Sequence, residues 1–285
     1  MFTQVDTRVP HEVELQVHSI YRRIFPKGDR AFVPRAFDWA SQSFRGQYAD
    51  YQAIDARYHD FEHTLQGTLC LARLLEGRHR AKAVPMLDLK MVELALLAIL
   101  FHDTGYLKKR DDTEGTGAKY TLTHVARSAA FAREFLSKQG YGDNELNMIG
   151  NMISCTGVNA DLRGIPFTTE VERIAGFALA TADLLGQMAA PDYVDKLPIL
   201  HSEFTEAVQH DGDKASRLRY STADDLMRNT PAFWEEYVQP RINNEFCGLY
   251  KFLNDPYPDG PNPYIQRIKE NLTRLRQKLN VPPTG

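Results

Sequence analysis

The chain has 285 residues, of which 43% are apolar and 11% aromatic, and a formal net charge of −3. That length can bury a large core in one or two domains, and the charge excludes a global basic field for nucleic acid or membrane while leaving room for a small anionic ligand. No uninterrupted apolar run approaches the ~20 residues a membrane helix needs, Met1-Phe2-Thr3-Gln4-Val5-Asp6 lacks the regions of a signal peptide, and Cys70, Cys155 and Cys247 form no Cys-x-x-Cys pair, so a cytoplasmic setting with reduced thiols is expected.

Residues 1–10 read as a frayed arm, and Pro10 leads into an amphipathic helix carrying Val13, Leu15, Val17, Ile20 and Phe25, ended by the Pro26-Lys27-Gly28-Asp29 turn. A second helix is expected from about 34 to 48, with Phe37, Trp39 and Phe44 inside. Helical periodicity then covers 61–76 and 87–102, separated by a basic, proline-containing connection, 77–85, that reads as a solvated loop. The polar segment 108–121 holds Gly115, Gly117 and several charges, too irregular for a helix, and suits a mobile rim whose Lys108, Lys109 and Lys119 add positive potential.

Thr123 is an expected N-cap for a helix at 125–138, Asp143 for one at 145–153, and Thr169-Glu170-Val171-Glu172 has capping-box spacing ahead of a helix that ends near Pro191. Further helices are expected near 199–210, 222–229, 231–253 with Thr230 capping and Pro231 at the first position, and 263–279. The punctuation from Asp255 to Pro261 separates only a terminal helix, and no sustained period-two alternation is found. The expected fold is therefore all-α: a single irregular helical bundle over 1–285, with a core at about 55–190 and peripheral helices at 10–48 and 199–280.

Three stretches carry chemistry. The apolar run Leu96-Leu97-Ala98-Ile99-Leu100-Phe101 delivers His102-Asp103 at the end of a core element, followed by Thr104-Gly105. Upstream, Tyr58-His59-Asp60-Phe61-Glu62-His63 spaces two histidines four apart, a separation of about 40° on a helix. Downstream, Asp183 is a lone carboxylate in the apolar run 178–185, and such a buried group is costly unless protonated, paired or bound to a cation. One shared cation accounts for all three. Imidazole with carboxylate suits one or two divalent ions such as Zn, Fe, Mn or Mg, and His63, His102, Asp103 and Asp183 supply two nitrogens and two oxygens.

The order His, then His-Asp, then Asp resembles the HD-domain metal-dependent phosphohydrolases, over roughly residues 55–190, and Tyr58-His59-Asp60 is similar to the Tyr-His-Asn stretch of the cyclic-nucleotide phosphodiesterases within them. That resemblance implies a metal-dependent phosphohydrolase of a phosphate ester, a nucleotide or related small molecule, in which metal-held hydroxide attacks phosphorus. It assigns His59 as proton donor to the leaving oxygen, a role that suits imidazole because it titrates near working pH, and Asp103 as the bridging ligand. The other reading of His59 is a helix-start residue bonded to Asp60 or Glu62.

His124 is placed by the resemblance at a second metal or the phosphate, or else it is a surface histidine. Arg127 either orients phosphate or is a solvated charge. The histidine that several subfamilies carry some thirty residues further on has no counterpart in 152–157, where Cys155 is a weak ligand candidate or core. Gln187 and Gln239 are candidates for the glutamine of a nucleotide pocket. Phosphodiester cleavage is favoured over phosphomonoester cleavage. The alternatives are a metal- and nucleotide-binding sensor without turnover and a two-iron oxygenase.

Overall fold

Eight consecutive apolar residues from Leu94 to Phe101 leave a helix no polar face to show to water, so α4 (Leu89–Phe101) must be surrounded by other elements. In the computed structural model, which describes residues 4–211 and 219–279, all eight are 3% exposed or less. Asp88 starts the helix by accepting the Met91 N–H at 2.8 Å. Around α4 pack α2 (Phe32–Phe44), α3 (Phe61–Arg80), α5 (His124–Lys138), α6 (Asp143–Ile153) and α7 (Glu170–Met188), while α1 (Pro10–Ile24) lies on α2 and α3. On the other side, α10 (Pro263–Lys278) packs on α7, α8 (Tyr193–His210) and α9 (Ala223–Ala232).

The architecture is an all-α helical bundle, and among the described residues β-structure is confined to the isolated bridges Arg45 to Ala53 and Tyr51 to Lys109. Buried apolar side chains from Val13 to Leu275 form one contiguous cluster, so the peripheral helices share a core with the central ones. No helix among the described residues is long and apolar enough to cross a membrane.

Several boundaries differ from expectation. Helix α3 continues through Arg80 in place of the solvated loop, because Arg78, His79 and Arg80 complement the negative end of the helix dipole and the connection proper begins at Ala81. Helix α2 stops at Phe44, short of 48, and α8 starts at Tyr193, ahead of 199, with Pro198 inside. The helices expected on either side of Thr230 are one: α9 begins after Thr222, which shares a capping box with Asp225, and continues through wide π-type turns at Phe233–Val238 and Arg241–Glu245. These turns fall beside Pro231 and Pro240, which cannot donate to the ladder. Thr230 returns its hydroxyl to the Leu226 carbonyl at 2.9 Å and caps nothing. The helix breaks before 253, where Cys247 and Gly248 adopt left-handed backbone, and a 3₁₀ turn follows at Leu249–Leu253.

Two caps also move. Asp143 is the first residue of α6, and Glu145 receives the Gly142 N–H at 2.7 Å. Thr123 precedes α5 but donates to the Tyr120 carbonyl at 3.3 Å and accepts no helix N–H. The 108–121 segment is fastened down. Lys108 is buried between the Gly115 carbonyl at 2.6 Å and Asp55 at 3.0 Å, Lys119 binds Asp112 and the Glu114 carbonyl, and Glu206 of α8 accepts the Thr116 N–H. Two of the three lysines expected to raise the rim potential are thus internal ties. Lys109 lies over the Tyr51 ring at 3.7 Å. The arm at 4–9 is held as well, through Thr7 to Glu62 at 3.2 Å and the Asp6 N–H to Glu12 at 3.1 Å, while residues 1–3 lie outside the described residues.

Candidate metal centre

Three elements bring the first ligand candidates together. His63 lies in the first turn of α3, where the Asp60 carboxylate caps the helix by accepting the His63 N–H at 2.9 Å. His102 and Asp103 follow the end of α4, where the chain turns through a short 3₁₀ segment, Thr104–Tyr106. Asp183 comes from the middle of α7, which crosses α3 so closely that a Cβ on Gly186 would sit 2.9 Å from the Gln66 backbone. A side chain at 186 would push the helices apart and draw Asp183 away from His63.

The four polar ends converge. The His63 Nε2 is 3.2 Å from Asp103 Oδ2 and 3.3 Å from Asp183 Oδ1, and the His102 Nε2 is 3.3 and 3.4 Å from the same two oxygens. All four residues are buried, yet His102 Nε2, Asp103 Oδ2 and Asp183 Oδ1 make no hydrogen bond of acceptable geometry. Orphaned buried polar atoms are costly, and the His102 nitrogen lies 3.3 and 3.4 Å from the two orphaned carboxylate oxygens. An ion about 2.0–2.1 Å from each donor would separate neighbouring donors by about 2.9 Å in octahedral and about 3.4 Å in tetrahedral coordination, which brackets the observed spacing. His63, His102 and Asp103 therefore fit a divalent cation, and Asp183 lies beside them, 3.3 and 3.4 Å from the two imidazoles.

The electrostatics agree. Burial alone would keep the His63 ring neutral, but the facing Asp103 and Asp183 carboxylates raise it to about 10, and His102 is raised for the same reason. Burial also opposes ionisation of both carboxyls, yet the two imidazoles hold Asp103 and Asp183 far below the usual carboxylate range. Two buried carboxylates thus demand compensating positive charge, supplied by protons unless a cation displaces them. The His102 Nδ1 donates to the Ile99 carbonyl at 2.7 Å, which leaves Nε2 as the ligand nitrogen.

His124 extends the cluster. Its Nδ1 donates to the Thr121 carbonyl at 2.6 Å, and its Nε2 faces the second oxygen of Asp103, Oδ1, at 3.9 Å. Burial lowers its pKa, so the ring is neutral and offers a lone pair. Asp103 therefore presents one oxygen to the four-donor cluster and the other to His124. The position of His124 depends on Gly105, where a Cβ would lie 2.0 Å from the His124 carbonyl oxygen. That turn is tied to α5 by Ser128, which accepts the Gly105 N–H at 2.8 Å, and by Arg127.

Arg127 is held by backbone carbonyls and an aromatic ring. Its Nε and Nη2 donate to the Gly105 and Leu107 carbonyls at 2.7 and 2.9 Å, and its guanidinium stacks on Tyr120 at 3.5 Å. It is no free solvated charge, because it clamps the turn after Asp103. Cys155 is core, its thiol pushed up to about 12 by burial, and lies against Gly176 of α7. Gln187 accepts from the Tyr58 hydroxyl at 2.9 Å and lines a small cavity with Tyr58, His63, Gln66, Tyr193 and Lys196. Gln239 lies in the continuation of α9, between the two π-type stretches.

His59 is not on the helix with His63, because α3 begins at Phe61. Its ring nonetheless lies 5.4 Å from that of His63 and stacks on Tyr106 at 4.4 Å, and Tyr106 also stacks on His124 at 4.8 Å. Neither Asp60 nor Glu62 is its partner. Asp60 is the cap of α3 and, with Glu62, contacts Lys196 of α8 at 3.5 and 3.0 Å.

The partner of His59 is Glu203 of α8, a residue the motif search missed. Its Oε2 is 2.6 Å from His59 Nδ1, and its Oε1 accepts the N–H groups of Arg57 and Tyr58, both at 2.7 Å. Burial opposes ionisation, but these bonds hold the Glu203 carboxyl below its ordinary range, so it is an acceptor and His59 donates from Nδ1. The signal was available: Glu203 falls on the apolar stripe of α8, three residues after Leu200 and four before Ala207. The motif-bearing core therefore extends past 190 to include α8.

The family model described as Npun_R2479-like matches residues 110–253, half of the chain, and the chain belongs to that family. The match includes His124, Asp183 and Glu203, and leaves His59, His63, His102 and Asp103 outside. No curated protein matches the chain.

Proposed function

For this member of the Npun_R2479-like family, we propose a metal-dependent phosphohydrolase of the HD-domain type, acting on a phosphate ester of a nucleotide or related small molecule. The observation that carries the reading is that His63 and His102 each lie 3.2–3.4 Å from Asp103 and Asp183, with three of these buried atoms orphaned. His63, His102 and Asp183 would hold one divalent ion, Zn, Fe, Mn or Mg, with Asp103 Oδ2. Asp103 Oδ1 and His124 would hold a second. Bound there, such ions supply neutralisation of phosphate charge and an acidified water.

The chain's own contribution is orientation and proton delivery. Glu203 fixes the His59 ring through Nδ1 and Tyr106 supports one face, so that Nε2 is held to donate to a departing oxygen. Arg127, anchored on backbone carbonyls, keeps Asp103 and His124 in register. Asp60 bears on helix start and α8 docking, and its difference from the phosphodiesterase Asn leaves the donor set intact.

The test is elemental analysis of protein purified without chelator, with turnover of bis-p-nitrophenyl phosphate and p-nitrophenyl phosphate under added Mn²⁺. Bound metal with diester cleavage supports the reading. Cleavage of the monoester alone replaces diesterase with monoesterase, and nucleotide binding without turnover under any divalent ion would leave the sensor.

A further inference from the structure

The small cavity beside His63 has room for about one water, and most of its walls are polar, with Gln66, Gln187, Asp192, Tyr193 and Lys196 among them. An apolar void of that size stays dry, whereas a polar one that offers two to four hydrogen-bonding groups holds a water. Most of the groups here are engaged with one another. The Tyr58 hydroxyl donates to Gln187 at 2.9 Å, the Gln66 amide to Glu62 at 3.3 Å, and the Lys196 ammonium faces Glu62 at 3.0 Å and Asp192 Oδ2 at 3.3 Å.

Two are not. Asp192 Oδ1 is buried and makes no hydrogen bond. Among the described residues, His63 Nδ1 has no partner either, Nε2 being the atom that faces Asp103 and Asp183. His63 is the exception among the histidines of the site. His102 Nδ1 donates to the Ile99 carbonyl, His124 Nδ1 to the Thr121 carbonyl, and His59 Nδ1 meets Glu203. In each of those three the second nitrogen sets the orientation of the ring, and a metal-binding imidazole that lacks such a partner is a poorer ligand.

A donor without an acceptor and an acceptor without a donor, on the walls of one water-sized cavity, are satisfied together by a single molecule. We propose that Asp192 is a positioning residue for His63, acting through one buried water that accepts the Nδ1–H of His63 and donates to Asp192 Oδ1. The other hydrogen of the water has the side-chain oxygens of Gln66 and Gln187 as acceptors on the same walls. Relayed in this way, the carboxylate holds the ring as the Nδ1–H tautomer and makes Nε2 a stronger donor to a cation. Lys196 in turn holds Asp192 from one turn further along α8. The effect on affinity rests on the cation reading above, whereas the water itself does not.

Two measurements on the full chain test the proposal. A high-resolution crystal structure should show density for a water at hydrogen-bond distance, about 2.7–3.2 Å, from both His63 Nδ1 and Asp192 Oδ1. The affinity for Mn²⁺, read by competition with a fluorescent chelator, should fall about 10- to 100-fold in Asp192→Asn, where Lys196 keeps the amide oxygen and the amide nitrogen turns to the water. Asp195→Asn removes the same charge from the same helix, at a residue paired with Arg274 and Lys278, and should leave the affinity unchanged. A cavity without density, a protein atom bonded to His63 Nδ1, no loss in Asp192→Asn, or equal loss in both variants would overturn the proposal. A parent that takes up no divalent ion would retire the cation reading, and the density would then decide the water by itself.

Discussion

Glu203→Gln is the sharpest probe of the site, because it removes one charge and leaves the shape. The amide oxygen of glutamine can still accept the Arg57 and Tyr58 N–H groups, both at 2.7 Å in the parent, but the amide nitrogen then faces His59 Nδ1, where the carboxylate oxygen stood at 2.6 Å. Two donors cannot face each other, so the neutral ring must carry its proton on Nε2 and the protonated ring loses its counter-charge. A buried hydrogen bond to a charged group contributes about 1.5–3 kcal/mol, so a reaction that uses protonated His59 should slow by about 10- to 150-fold. Metal content should not change, because Glu203 touches none of the four converging donors, and the melting temperature should fall by a few degrees.

Two assays separate causes. Long-range ¹⁵N correlation at a pH where the ring is neutral should show the Nδ1–H tautomer in the parent and Nε2–H in the variant, whether or not substrate turns over. Phosphodiester turnover with saturating Mn²⁺ supplies the rate. An unchanged tautomer, or loss of metal equal to that in a His102 variant, would refute the assignment of Glu203 as the group that orients His59.

Removing the cation with chelator should lower the melting temperature of the parent, since an ion at 100 times its Kd contributes about 2.7 kcal/mol, and His102→Ala or Asp103→Ala should lose both that shift and turnover. His59→Ala should keep the metal-dependent shift and lose turnover; equal metal loss in all three would make His59 a ligand. Gly105→Ala should destabilise by more than about 3 kcal/mol, read by denaturant unfolding, because its Cβ would meet the His124 carbonyl at 2.0 Å, and an unperturbed variant would show that the turn is not held there. Arg127→Met should cost about 1.5–3 kcal/mol of stability with KM little changed, and a normal melting temperature with a raised KM would return Arg127 to the phosphate.

Much of the architecture was legible because local rules and tertiary packing agree. Thr169 caps its helix where expected, Pro10 opens α1, and the unbroken apolar run before His102 forces α4 to the centre. Reading failed where a distant contact decided. The basic stretch at 77–80 looked solvated, but it completes α3 and Arg78 is covered. Pro231 read as the first residue of a new helix, yet π-type turns carry one helix past it and past Pro240. Lys108, Lys119 and Arg127 looked like rim or surface charge, and each is bound to carbonyls or carboxylates within the packed chain.

Residue type and spacing fixed the helical class and nominated the metal-capable side chains, because burial of a run and the chemistry of imidazole and carboxylate are local properties. Whether those side chains meet is not local. It depended on α7 crossing α3 at Gly186, on the Gly105 turn seating α5, and on α8 bringing Glu203 to His59 from 144 residues away. The helical period states which face a residue occupies, whereas the partner of that face is set by packing among helices whose order in space no single segment encodes.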